Sequence, residues 1–429
     1  LNIIGEFSDH EDYKKKYDDF KNNANKRFIE LENGSFEEFG VWKMMKDWSL
    51  REFNKFYDLL NIKHDYLIGE SFYSKKGREF VAEKITTGEV IHFVGDVVDS
   101  EIKKLQSLFV SGSIKKTVLD KKIEEINNDV GAYVIMLPSG SRLVIMRSDG
   151  ASIYATRDLV SIKHRIDTFS PNKLIYEVGQ EQSEHFKNIF EATLFLKMNN
   201  DEKIDLKHIS HGFYIDAETG QKLSSREGAQ NIIHLIEESI KYFREKYNER
   251  AKQDKDPILL TEDEKDTSAK MLAVGSIAFN DIKQDKRFPI SFHKNILENI
   301  KSFEESGGAY IMYSIARANS IIRKSDKKIS DIETFSLDLS KMEIGEIELL
   351  KKVADLPRVV LRSSETDNPA YLAEYLLRLA NDYNSYYENY DVLSSGKLEY
   401  PYRLFITHTV ATALSNGMKI CHAEAPERI

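Results

Sequence analysis

The first sixty residues alternate charge with isolated apolar side chains. Phe20, Phe28 and Leu31 are followed by Trp42, Met45 and Trp48, each set apart by acidic and basic residues. Recurrence at three- and four-residue steps marks amphipathic helix. The span from Asp9 to Leu60 therefore predicts two helices, divided by the turn Asn33-Gly34 with Ser35 as N-cap. The pattern then shortens. The stretch from Asp65 to Phe72 and the run Val90-Ile91-His92-Phe93-Val94 predict buried strands. Ala132 to Leu137 and Leu143 to Met146 predict a hairpin through Pro138-Ser139-Gly140.

Past this hairpin the periodicities alternate. The strand from Ser141 to Met146 and the turn Asp149-Gly150 lead into Tyr154-Ala155-Thr156-Arg157-Asp158. A second apolar strand, Lys173 to Gly179, leads into a helix start at Gln180 to Phe186. Strand, helix, strand, helix predicts a parallel α/β layer, and polar residues just past its strand ends are placed to bind ligands. Helical spacing returns from Asn231 to Asn248. The charged stretch from Ala251 to Asp266, with Pro257, predicts an exposed connection. Helices follow at Lys270 to Asp281, Ala309 to Arg323, Ile344 to Ser363, Ala370 to Tyr387 and Arg403 to His422. No repeat or heptad seam interrupts them. The reading is α/β plus all-α: an α/β layer, a linking helical region and a C-terminal helical bundle.

Composition narrows this picture. A chain of 429 residues holds two or three domains and a large core. The single cysteine, Cys421, excludes a disulfide framework and a multi-cysteine zinc site, and fits a reducing cytoplasm. No apolar run reaches membrane-spanning length. The net charge of −9 excludes generic polyanion binding. Any nucleic acid would have to meet a local basic surface, for which Lys283, Lys286, Arg287, Arg317, Arg323, Lys324, Lys327 and Lys328 are candidates.

One loop stands out chemically. Lys222-Leu223-Ser224-Ser225-Arg226-Glu227-Gly228 follows the turn Glu218-Thr219-Gly220. Its ammonium and guanidinium groups can balance phosphate charge, its hydroxyls add hydrogen bonds, and Gly228 lets the backbone approach. Alone, such a run is most often only a polar turn. Upstream, Asp158 offers a carboxylate, Tyr154 lies one helical turn before it, and Gln182 ends the next strand. Together they can surround a guanidinium, whose planar fork of five donors needs acceptors in its own plane. Taken singly, Asp158 also fits a helix-terminal carboxylate or an ion pair with Arg157, Tyr154 a core position and Gln182 a cap.

With these segments in hand, the chain resembles the class I arginyl-tRNA synthetases. Gly69-Glu70-Ser71-Phe72-Tyr73, Tyr154 to Asp158, Gly179 to His185, His208-Ile209-Ser210-His211-Gly212-Phe213, the Lys222 loop and Gly308 to Arg317 occur in the family's order, and the match runs from Glu38 to Ala425-Pro426-Glu427-Arg428-Ile429. The lack of zinc ligands, Tyr154 with Asp158, and this ending argue against the cysteine enzyme of the same subclass.

The resemblance implies a Rossmann-like catalytic layer, its C-terminal part, followed by a helical anticodon-binding bundle. The expected domains are 1–210 (partial catalytic), 211–300 (signature loop and linking helices) and 301–429 (anticodon-binding). It implies ATP-dependent activation of L-arginine and transfer to tRNA(Arg), with Mg²⁺ held by phosphates and water and no metal site in the protein. Arginine binding falls on Tyr154, Asp158 and Gln182. ATP binding falls on His208, His211, Gly212, Phe213, Lys222 and Leu223, and catalysis on Lys222, Ser224, Ser225 and Arg226. His208 and His211 fit equally as satisfied core or surface histidines. Glu70 and Ser71 belong near the active-site floor or simply hold a loop. The tRNA contacts implied are Tyr310, Tyr313, Arg317 and Asn319, on one helix with Ala316; aromatics can stack on unpaired bases and Arg or Asn can read their edges.

The chain also departs from the family. The HIGH-type tetrapeptide is absent, since His10, His64 and His92 have the wrong neighbours, and Ser225 stands where a second lysine is common. The family's N-terminal tRNA-binding domain is not seen. The expectation is that an N-terminal portion is missing, that catalysis needs it, and that the chain is a monomer or pairs with that portion. A second reading stays open: a truncated synthetase-like module that binds arginine, tRNA or a partner without catalysis.

Overall fold

The computed structural model of the chain describes residues 11–32, 34–148, 150, 153–199, 203–223, 232–253, 260–325, 330–331, 340, 342–393 and 400–429. Two compact units emerge: residues 1–177 with 181–208, and residues 178–180 with 209–429.

The first unit begins with the expected helical pair, α1 (Glu11–Glu32) and α2 (Phe36–Leu59). Gly34, at φ +85°, makes the turn that an L side chain resists, and Ser35 takes the N-cap position without a side-chain cap bond. Arg27 Nε donates to Glu38 at 2.6 Å across the pair. The apolar stripe that marked α2 stays uncovered, with Met45 and Trp48 more than half exposed.

The stretch from Asp65 to Phe72 is not a strand. It is irregular up to a 3-10 turn at Glu70–Phe72, and Tyr66 and Leu67 are exposed. An apolar run becomes a strand only beside a hydrogen-bonded neighbour, and no described strand pairs with this one. Glu70 and Ser71 therefore lie on a turn, not at a strand end.

After α3 (Ser74–Thr87) come β1 (Ile91–His92), α4 (Asp96–Val110), α5 (Lys116–Asp129), β2 (Tyr133–Met136) and β3 (Arg142–Met146). The sheet order is β1-β2-β3, antiparallel, with Ile91 opposite Val134 and Ile135 opposite Leu143. The predicted hairpin is present. Then follow α6 (Tyr154–Phe169), β4 (Lys173–Gly179), α7 (Ser183–Phe195) and β5 (Asp205–His211). β4 pairs with β5, so among the described strands β3 and β4 are not ladder neighbours. A crossover helix does not by itself make the strands it joins adjacent.

The core of this unit explains α6. Leu159, Ile162 and Ile166, at helical spacing, are buried with Ile135 and Ile145 of the hairpin and Ile189 and Ala192 of α7. Each such side chain contributes about 1.5–3 kcal/mol by leaving water. Thr156, fully buried, donates its hydroxyl to the Ile145 carbonyl.

In the second unit β6 (Tyr214–Asp216) precedes α8 (Ile232–Gln253), α9 (Glu262–Lys283) and β7 (Ile290–Phe292), which pairs parallel to β6. The connection expected from Ala251 to Asp266 is shorter than read: helix continues to Gln253 and resumes at Glu262. There Thr261 and Glu264 form a reciprocal capping box, while Pro257 lies outside the described residues. The bundle continues with α10 (Ile296–Glu305), α11 (Gly308–Lys324), α12 (Ile344–Ala354), α13 (Leu356–Glu365), α14 (Ala370–Asn389) and α15 (Tyr400–Ile420). The single helix predicted from Ile344 to Ser363 breaks at Asp355. Pro357 has no N–H to continue a helix but suits the first turn of a new one. One apolar core, including Phe243, Phe279, Met312, Leu376, Tyr383 and Leu414, joins these helices.

Candidate active site and nucleic-acid interface

Asp158 sits in the first turns of α6, on the edge between its buried stripe and its solvent face. Its side chain is 31% exposed, and its Oδ2 lies 2.6 Å from His185 Nε2. His185 is the third residue of α7, so the starts of α6 and α7 meet at this bond. Gln182 is exposed and closes the 3-10 turn just before α7. Tyr154 lies one turn before Asp158 on α6, is 67% exposed, and faces the Arg157 guanidinium at 5.6 Å. Arg157 donates to Glu70 at 3.0 Å; among the described residues no ion pair joins it to Asp158, which its adjacency allowed. The partner that sequence reasoning left out is His185. Its signal was a histidine in the first turn of the helix that follows a strand end.

A second arrangement lies around β6. Asp216 Oδ1 accepts from the Thr219 N–H at 2.8 Å, the Glu218 N–H at 3.0 Å and the Thr219 hydroxyl at 3.0 Å. These bonds, the Thr219 N–H above all, hold the Asp216 carboxyl below the usual range. The turn ends in Gly220 at φ +69°, and Lys222 returns to bridge Ile215. The exposed Lys222 places Nζ 4.0 Å from the Phe213 ring, a cation–π contact. Leu223 donates its N–H to the Tyr214 carbonyl at 2.8 Å. Ser224, Ser225 and Arg226 lie outside the described residues.

The His208–Phe213 segment is partly structural. The His208 ring stacks on Phe186 at 5.0 Å, and His211 Nδ1 donates to the Gly212 carbonyl at 3.0 Å. The Gly212 N–H donates to the Lys286 carbonyl at 2.7 Å, and a Cβ at Gly212 would overlap the Phe288 carbonyl. Here glycine permits close backbone approach to the turn at Lys286–Phe288 that precedes β7. Tyr214 donates to Asp281 at 2.8 Å, and burial pushes the Asp281 carboxyl above its ordinary range.

In the bundle, α11 presents Tyr310 and Arg317 on one face. Arg317 donates to Asn384 Oδ1, the Asn384 amide donates to Ser314 Oγ at 2.7 Å, and Ser314 donates to the Tyr310 carbonyl at 2.9 Å. The Arg317 guanidinium also lies 5.2 Å from the exposed Tyr387 ring. Tyr313 is half-buried, with the Arg250 guanidinium 4.2 Å from its ring. At about 100° per residue, Asn319 lies on the opposite side of α11 from Tyr310, and Ala316 is buried. The four candidate residues therefore do not form one face, and Asn384 and Tyr387, both on α14, belong with Tyr310 and Arg317.

Several candidate basic residues are occupied. Lys286 donates to the Asp367 carbonyl, Arg287 pairs with Asp285, and Arg323 donates to the Glu427 carbonyl. Lys327 and Lys328 lie outside the described residues.

Two family profiles match this architecture. Residues 100–292 match "tRNA synthetases class I (R), catalytic domain", and residues 311–429 match "DALR anticodon binding domain". Over 409 residues the chain is 31% identical to the arginine–tRNA ligase of Levilactobacillus brevis, a match covering 95% of this chain and 63% of that protein. The arginine–tRNA ligase of Streptococcus pneumoniae matches with the same identity and coverage.

The chain carries the catalytic and anticodon-binding domains of the class I arginyl-tRNA synthetase type.

It spans about 63% of the length of these curated relatives. Among solved structures, the arginyl-tRNA synthetase of Plasmodium falciparum matches with a TM-score of 0.70 at 21% identity, covering 100% of this chain and 67% of that one. That of Thermus thermophilus matches with a TM-score of 0.68 at 21% identity, covering 99% and 72%. These likenesses support the fold: a class I synthetase catalytic domain followed by a helical anticodon-binding domain. Among the described residues no helix is long and apolar enough to cross a membrane.

Proposed function

We propose that this chain acts in the ATP-dependent activation of L-arginine and its transfer to tRNA(Arg). The observation that carries the reading is Asp158. It is a half-covered, hydrogen-bonded carboxylate where α6 and α7 begin, in a chain aligned along nearly its whole length with arginine–tRNA ligases. Activation is an in-line attack of the arginine carboxylate on the α-phosphorus of ATP, in which the protein positions reactants and offsets charge. Asp158, with Tyr154 and Gln182, takes the guanidinium. His208, His211, Gly212, Phe213 and Leu223 frame the nucleotide. Lys222 with Ser224, Ser225 and Arg226 balances the departing pyrophosphate. Mg²⁺ enters with ATP; no group of three or more carboxylate, imidazole or thiolate side chains among the described residues is set to cage a metal ion.

The C-terminal helices, 301–429, are assigned to the anticodon loop through the face of Tyr310 and Arg317 with Tyr387; Tyr313 and Asn319, off that face, are not part of this assignment. Residues 1–210 and 211–300 are assigned to the catalytic layer and to the signature loop with its linking helices. The working compartment proposed is the cytoplasm.

Calorimetric titration of the chain with L-arginine, citrulline and L-lysine tests the reading. Binding of arginine with rejection of citrulline is expected, because a neutral urea leaves the carboxylate without its charged partner. Equal binding of arginine and citrulline, or no binding of arginine, sinks it. Arginine binding without arginine-dependent ATP–pyrophosphate exchange would favour a binding module instead.

A further inference from the structure

We infer that His185 is a positioning residue for arginine recognition: it fixes the direction in which the Asp158 carboxylate faces its ligand. The inference rests on the proposed reading of Asp158 as a guanidinium receptor.

The geometry begins with the 2.6 Å separation of His185 Nε2 and Asp158 Oδ2. An ionised carboxylate can only accept, and its two oxygens offer about four lone-pair sites. Nε2 therefore carries the bonding proton and uses one site on Oδ2. A guanidinium fork needs one further site on each oxygen, side by side. His185 and a bound guanidinium thus do not compete. The terminal torsion of an aspartate is otherwise broad, so a carboxylate without this bond would present its oxygens in many planes.

The clamp is itself held. The His185 ring lies edge-on to Phe186 at 5.4 Å and 79°. Phe186 is buried and packs on Tyr176 at 4.9 Å. From the other side, Ser161 Oγ donates to the Asp158 backbone carbonyl at 2.9 Å. Arg165 donates to Ser161 Oγ at 3.1 Å and to the Tyr176 hydroxyl at 2.5 Å. Side chain and backbone of Asp158 are therefore both tied to the cluster around Tyr176. The neighbouring cation Arg157 donates to Glu70. An arriving guanidinium meets a carboxylate already oriented.

Orientation matters more to a planar fork than to an ammonium, which is a point charge with three rotatable donors. Loss of His185 should therefore weaken arginine more than lysine and narrow the discrimination between them.

The test compares the full chain with His185→Ala, His185→Gln and Asp158→Ala. In calorimetry, His185→Ala should bind L-arginine roughly tenfold more weakly, the effect of one charge-assisted hydrogen bond, with lysine affected less. His185→Gln, whose amide nitrogen can replace Nε2, should restore affinity to within about threefold of the parent. Unchanged affinity in His185→Ala, or equal losses in the Ala and Gln variants, overturns the inference. A ligand-free readout separates this outcome from failure of the receptor reading. NMR of the imidazole should show a slowly exchanging Nε2 proton that is lost in Asp158→Ala; a proton indifferent to that substitution overturns the pairing. If the pairing is present but the parent binds no arginine, the receptor reading fails and takes the recognition role of His185 with it.

Discussion

Arg403 Nε donates to Glu346 Oε1 at 2.9 Å, and the Glu346 side chain has no exposure at all. The other Glu346 oxygen accepts from the Glu343 N–H at 2.9 Å as part of the α12 capping box. A buried carboxylate left without its cation costs far more than the intact pair contributes, about 3–5 kcal/mol. Arg403→Leu should therefore lower bundle stability by about that amount, and adding Glu346→Gln should recover part of it. Urea unfolding of the two variants checks this; a single variant within ~0.5 kcal/mol of the parent, the range of neutral surface changes, would show the pair to be dispensable.

Asp158→Asn keeps the shape of the side chain and removes its charge. Arginine affinity should fall about tenfold to a hundredfold, the value of one or two charge-assisted hydrogen bonds. Binding of tRNA and the melting temperature should stay close to the parent, because the side chain is partly exposed and an asparagine keeps an oxygen that can still accept from His185. Calorimetry with L-arginine beside a filter-binding titration with tRNA(Arg) gives both readings.

Gly212 is the position where a methyl group has nowhere to go. Its N–H is bonded to the Lys286 carbonyl at 2.7 Å, and the Phe288 carbonyl fills the space where a Cβ would stand. Since the obstacle is backbone, it cannot rotate away. Gly212→Ala should cost about 1–3 kcal/mol, as overpacking does, measured as a shift in the urea midpoint at unchanged slope.

The bundle was legible in the sequence because helices are local: spacing alone foretold α11, α14 and α15 to within a few residues. Pro357 split a predicted helix because a missing N–H outweighs periodicity. The stretch from Asp65 to Phe72 misled because a strand depends on its neighbour, which apolar content does not supply. The candidate site was half legible. Asp158 could be picked out from its segment and the family order, whereas the bond to His185 joins residues 27 apart in sequence and leaves no periodic trace. Asn384, 67 residues from Arg317, was hidden for the same reason.

The Asp216 turn carries a pH signature. Hydrogen bonds in the folded state, from the Thr219 N–H first, hold the pKa of its carboxyl below the ordinary value of 3.8. The unfolded chain therefore takes up this proton first as pH falls, and the stabilisation present above that ordinary value is lost as pH drops through the folded value. Asp216→Ala should flatten the acid side of the stability profile and leave the shape near neutrality alone. Parallel profiles for parent and variant between about pH 5 and pH 2 would show that the carboxylate does not organise the turn.

Cys421 offers a probe of the bundle that needs no ligand. The thiol is buried at the end of α15, and burial pushes it up to about 12. The thiolate is the reactive form, so at pH 8 the folded chain should resist iodoacetamide while the urea-unfolded chain reacts fully. The same burial fixes a sign. The folded value exceeds the ordinary value of 9.0, so the contribution to stability is complete below that value and declines as pH rises toward the folded one. Replacement by alanine should remove this alkaline decline. Rapid labelling of the native chain at pH 8, at the rate of a free thiol, would place Cys421 in an open site and contradict the packing of α15 against α11 and α14.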